Sequence, residues 1–120
     1  MKEKNYTWHK LVENIGELSF PEGGGLLETE LGGKKICVSM YKGQLHACAA
    51  RCPHAGGKLS EGFTDGLGNI VCPLHRYRFN LQNGYNSSGE GYFLKTYPVK
   101  QTENGIFIGF EAGGLMNWLK

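Results

Sequence analysis

Cys52-Pro53-His54 and Cys72-Pro73-Leu74-His75 are the two stretches around which this chain is organised. Each joins one thiol to one imidazole, and 17 residues separate His54 from Cys72, enough for a loop, a turn and a return strand. Two sulfur and two nitrogen donors, supplied as two mixed pairs, point to a metal centre held between two loops. A structural zinc accepts the same four donors tetrahedrally. Zinc fingers, however, gather their cysteines as one close pair and their histidines as another, whereas here each loop carries one of each.

The spacing C-x-H-x17-C-x-x-H resembles that of the Rieske family, and its flanks agree. Ala55-Gly56-Gly57 follows the first box, Arg76-Tyr77-Arg78-Phe79 follows the second, and Gln82-Asn83-Gly84 extends the likeness. The resemblance is close over the two boxes and looser over roughly residues 6–110. In Rieske [2Fe–2S] centres two histidines replace two cysteines on one of the irons. The resemblance therefore implies that Cys52 and Cys72 hold one iron, and that His54 and His75 hold the other through Nδ1. It implies an all-β fold, an antiparallel sandwich or barrel base with a small cluster-binding subdomain inserted over about residues 48–81 of a single domain, 1–120.

What the resemblance implies about activity is a soluble ferredoxin, an electron-transfer protein rather than an enzyme. Its partners would be a flavin reductase as donor and an oxygenase-type acceptor. The alternatives are a fixed electron-transfer subunit or a redox sensor with the same cluster, and a zinc-binding interaction module. A complete oxygenase needs a further domain with a mononuclear iron held by two histidines and a carboxylate. Beyond the boxes the chain has His9 and His46 alone, both upstream, and no length for such a domain.

Two further inferences come from family positions. High-potential members clamp their loops with an extra cysteine in each box; the corresponding residues here are Gly57 and Leu74, so no clamp is expected. Those members also donate Ser and Tyr hydroxyls to the cluster sulfurs from positions filled here by Tyr77 and Phe79. Loss of both donors implies a low potential.

Composition sets the frame. The chain has 120 residues, a formal net charge of +2 and 19 glycines, which suits one domain of short strands and tight turns. The small charge and the lack of a basic run argue against a nucleic-acid partner. Met1 to Tyr6 carries charge without an apolar run, so no signal peptide is expected, and no stretch has the apolar length of a membrane anchor. The expected setting is a reducing cytoplasm, in which four cysteines do not by themselves imply disulfides. Cys37 reads as a small apolar strand residue, and Cys48 as lying under the first box.

Along the chain, Tyr6 to Val12 reads as a first strand and Ser19 to Gly25 as a loop. Leu26–Leu31 and Lys34–Tyr41 form a hairpin around Gly32-Gly33, with Ile36, Val38 and Met40 facing the core. Lys42-Gly43 turns into a strand over Gln44 to Ala47. Ser60 to Asn69 is turn-rich, Ile70-Val71 a buried strand, Tyr77 to Leu81 its return, and Asn83 to Gly91 a loop. Phe93 to Gln101 reads as one strand, edge or bulged at Pro98, and Glu103-Asn104-Gly105 as the turn into Ile106–Phe110. Arg51, Lys58, Arg76 and Arg78 would ring the tip with basic groups. The apolar tail, with Leu115, Met116, Trp118 and Leu119, is assigned to packing against its own domain.

Overall fold

The computed structural model describes residues 5–20 and 25–111, so the tail lies outside the described residues, as does part of the loop before Leu26. Ten strands follow one another: β1 (Tyr6–Val12), β2 (Leu26–Leu31), β3 (Lys34–Tyr41), β4 (Gln44–Ala49), β5 (Phe63–Thr64), β6 (Asn69–Val71), β7 (Arg78–Asn80), β8 (Thr96–Tyr97), β9 (Val99–Thr102) and β10 (Gly105–Glu111). The expected all-β antiparallel fold is what the chain adopts. Among the described residues no helix is long and apolar enough to cross a membrane.

The strands form three antiparallel sheets, ordered β1-β10-β9, β2-β3-β4-β8 and β5-β6-β7. Their turns explain the hairpins. Gly32 and Gly33 both take positive φ, as a two-residue primed turn demands. The next hairpin repeats that geometry with Lys42 at φ 50°, a conformation that L side chains seldom adopt.

Ile36, Val38 and Met40 share a core face on β3 as expected, and the structure adds that this strand is buried on both sides. Ile36 and Val38 join Leu45, Ala47, Ile106, Ile108 and Phe110 in a core between the four-stranded sheet and the β1-β10-β9 sheet, with Met40 packed at its margin. Cys37 points the other way, with Cys48, into a second core shared with Leu59, Ile70, Phe79, Leu94 and the box cysteines. Alternation still holds, but both faces are covered, so small and apolar residues fill both registers.

Two expectations give way. Phe93 to Gln101 is not one strand. Pro98 divides β8, which pairs with β4, from β9, which pairs with β10. Proline offers no ladder donor, and its carbonyl accepts the Gly109 N–H at 2.9 Å, so the chain changes sheets at this residue. The segment Ser60 to Asn69 also holds more than turns, since a 3-10 turn over Leu59–Glu61 leads into β5.

Candidate metal centre

Both boxes are built alike. The Cys52 N–H donates to the Gly57 carbonyl at 2.8 Å, and the Gly56 N–H donates back to the Cys52 carbonyl at 2.9 Å. In the second box the Cys72 N–H donates to Tyr77 at 2.9 Å, and the Arg76 N–H returns to Cys72 at 3.0 Å. The returning residue has positive φ in each case, 73° at Gly56 and 61° at Arg76. A third turn of the same build follows: the Asn80 N–H donates to Tyr85, the Gly84 N–H returns to Asn80, both at 2.8 Å, and Gly84 has φ 79°. There the Asn80 side-chain oxygen accepts the N–H groups of Gln82 and Asn83, as the Cys52 sulfur accepts those of His54 and Ala55.

These loops gather the four candidate ligands. Cys52 is 2% exposed and Cys72 wholly buried, their thiols in contact with each other. Burial pushes the Cys52 thiol up, against backbone N–H groups that favour its thiolate. On the same two loops, the Nδ1 atoms of His54 and His75 face each other at 3.3 Å, with ring centroids 4.9 Å apart. His54 is half-buried and His75 exposed. Among the described residues no three His, Cys, Asp or Glu are grouped as ligands of one ion. The donors fall instead into a thiol pair and an imidazole pair, and that set fits a two-iron cluster with mixed ligation.

Glycine leaves the loops room to meet. A Cβ on Gly57 would come within 3.0 Å of both the Cys72 sulfur and the Leu74 side chain. Gly57 and Leu74, the two positions where a clamp would lie, are thus already in contact, and packing of Leu74 takes its place. Thiol reductants are accordingly expected to leave the fold and visible spectrum of cluster-loaded protein unchanged. Loss of colour on adding dithiothreitol to folded protein would show that a bridge holds the loops.

One wall of the site joins Tyr77 to Tyr92, and the second of these escaped the sequence reading. Tyr77 lies 4.3 Å and Tyr92 5.1 Å from the His54 ring, centroid to centroid. Tyr92 is carried on a loop braced by Asn86, whose amide donates to the Arg78 carbonyl at 3.0 Å and to Glu90 at 2.8 Å, and whose oxygen accepts the Tyr92 N–H at 3.2 Å. The signal was a run of Asn, Ser and Gly that read as loop. Nothing in its spacing ties it to the boxes.

The other histidines lie on the base. His9 on β1 packs against Phe110 at 5.0 Å, and His46 on β4 is half-buried, its imidazole held below the ordinary value by that burial. The basic ring is also less uniform than expected, because Arg78 pairs with Asp65 at 3.5 Å. Burial works to raise the Asp65 carboxyl, but hydrogen bonds from Asn69 and Leu67 outweigh it and hold the group low.

Comparison with known proteins agrees with this geometry. A family profile described as the Rieske [2Fe-2S] domain matches residues 8–98. The ferredoxin component of the naphthalene 1,2-dioxygenase system of Pseudomonas aeruginosa is 32% identical over 92 residues, 76% of this chain and 86% of that protein. Cholesterol 7-desaturase nvd of Bombyx mori is 32% identical over 98 residues, 76% of this chain but 22% of its own length. Among solved structures, a chain in the complex of reduced oxygenase and oxidised ferredoxin in carbazole 1,9a-dioxygenase superposes with a TM-score of 0.71 at 26% identity. The match covers 89% of this chain and 96% of that one.

Proposed function

This chain belongs to the Rieske [2Fe–2S] domain family, and from that premise we propose that it is a one-electron carrier rather than a catalyst. In this reading Cys52 and Cys72 would hold one iron and His54 and His75 the other, through Nδ1, in a cluster-binding unit over about residues 48–81 of one domain. The observation that carries this reading is that the same two loops bring two Nδ1 atoms face to face and two buried thiols into contact. When bound, the cluster supplies one-electron chemistry, and neutral imidazoles in place of thiolates make the electron easier to accept than at an all-cysteine centre.

The chain's own residues do the rest. Leu59, Ile70 and Phe79 are wholly buried and keep water from the sulfur side. Tyr77 and Tyr92 pack on His54, while His75 is exposed. The match to a dioxygenase ferredoxin component over most of its length supports an oxygenase-type acceptor; the donor in this reading is a flavin reductase. A second reading, a fixed electron-transfer domain within a larger protein, is favoured by the match to 22% of a desaturase.

The potential tests the assignment. Phe79 is wholly buried and has no hydroxyl, and the Tyr77 ring lies against His54. Neither side chain reproduces the Ser and Tyr hydroxyl donors of high-potential members. Voltammetry of the loaded protein is expected to place it near the low end of the Rieske range, about −150 to +300 mV. A potential well above zero would overturn the low-potential carrier. Phe79→Tyr puts a hydroxyl into that buried site and is expected to raise the potential. A hydroxyl that found no sulfur there would lower stability instead.

A further inference from the structure

One row of reactive side chains crosses the central sheet outside the proposed ligand set. Glu28 on β2 is the register partner of Cys37 on β3, and Cys37 is the register partner of Cys48 on β4. Directly opposed residues of an antiparallel pair have Cα atoms about 4.5–5.5 Å apart, within the span that a disulfide bridges. Both thiols are free and buried, at 1% and 4% exposure. They hydrogen-bond to each other, which lowers the Cys37 thiol and raises that of Cys48. Beside them the Oε1 atom of Glu28 is buried with no hydrogen-bond partner among the described residues.

Buried structural cysteines are ordinarily inert. A carboxylate oxygen left unsatisfied next to a thiol pair is not ordinary, because such an atom is costly to bury and is rare in native structures. We propose that Glu28, Cys37 and Cys48 form a thiol–disulfide redox site, oxidised by hydrogen peroxide to a cross-strand disulfide with Glu28 as proton acceptor. The Cys37 sulfur attacks one peroxide oxygen and the O–O bond breaks. Its proton passes through Glu28 to the departing hydroxide, leaving a sulfenic acid and one water. The Cys48 sulfur then attacks that of Cys37. The S–O bond breaks, and the hydroxyl leaves with the Cys48 proton as a second water. Two thiols give up two electrons and two protons, and peroxide becomes two waters. A dithiol reductant reverses the change.

Glu28 lies on an edge strand and is half-buried, which gives a small oxidant its way in. The site also bears on its neighbour. β4 ends at Ala49, just past Cys48 and shortly before the first box, and both thiols share a buried cluster with Cys52 and Cys72. A bond between β3 and β4 would tether the strand from which the first loop springs.

The test uses reduced, cluster-loaded protein, treated without air with about one equivalent of peroxide, alkylated, digested and mapped by mass. The expected product is a Cys37–Cys48 linked peptide that disappears on treatment with dithiothreitol. Glu28→Gln, which keeps the side chain's size, is expected to slow its formation roughly tenfold or more, as loss of a positioned proton acceptor requires. Cys48→Ser is expected to leave Cys37 as a sulfenic acid that dimedone traps. Alkylation of both thiols after treatment, bonds confined to Cys52 and Cys72, or bond formation in Glu28→Gln at the unaltered rate would each overturn the proposal. The cluster assignment stands or falls separately, on iron content.

Discussion

Cys52→Ala, Cys72→Ala, His54→Ala and His75→Ala are each expected to lose the cluster outright, with iron and sulfide per chain, visible colour and the electron-paramagnetic signal falling to background. The size of the effect follows from geometry. Each side chain is one of two donors of its kind, and around the two buried thiols Leu59, Ile70 and Phe79 offer no ligand atom. Replacement leaves an iron with an open position, and the other thiols of that buried core, Cys37 and Cys48, are engaged with each other on β3 and β4 rather than carried on the two loops. His9→Ala and His46→Ala are the controls. These rings belong to the base sheets, and their loss is expected to leave iron content unchanged. Full iron retention in His54→Ala would be the most damaging outcome, because it would remove the imidazole pair on which the family's mixed ligation depends.

The second large effect needs no metal chemistry. A Cβ placed on Gly62 would overlap the Val71 carbonyl oxygen, and one placed on Gly84 would overlap that of Leu94. Both obstacles are backbone, which cannot turn aside as a flexible side chain does. At Gly84 the positive φ adds strain. Gly62→Ala must push β5 from β6 immediately before Cys72, and Gly84→Ala must open the turn that follows β7. Each is expected to destabilise by about 3 kcal/mol or more, the upper end of overpacking costs. For a domain of this size that corresponds to a fall in melting temperature of roughly 10 °C or more. Gly66→Ala meets nothing within 4 Å and should be close to neutral. Calorimetry of the three variants side by side checks the ranking, and equal melting temperatures would show that the loops yield more readily than their backbone contacts imply.

The sequence was most legible where a local rule acts alone. Gly32-Gly33 can make little else than a primed turn, and both flanking strands fall where alternation puts them. The four candidate ligands were visible because two short boxes carry their whole pattern. Legibility failed where distant segments decide the outcome. The burial of Cys37 depends on the small sheet that covers it, and that sheet is assembled from residues 63–80. Phe93 to Gln101 looks continuous until two different sheets claim its halves. Tyr92 and Asn86 lie well beyond the second box, and only the folded chain shows that Tyr92 flanks His54 and that Asn86 braces it. The carboxylate of Glu28 gave no sign at all, since a glutamate on a strand ordinarily faces water.

The three matching turns have a consequence for how the protein is assembled. Each closes within six residues through its own main-chain bonds, so its loop-closure entropy is small and is met when the chain folds rather than when metal arrives. The cavity is then ready-made, and delivery of iron and sulfide becomes a late step that a folded chain can undergo. Contacts of such short sequence separation also form early. The same economy runs in reverse: a chain stripped of its inorganic core keeps the receptacle and can be refilled. A single Rieske chain could therefore outlive several clusters.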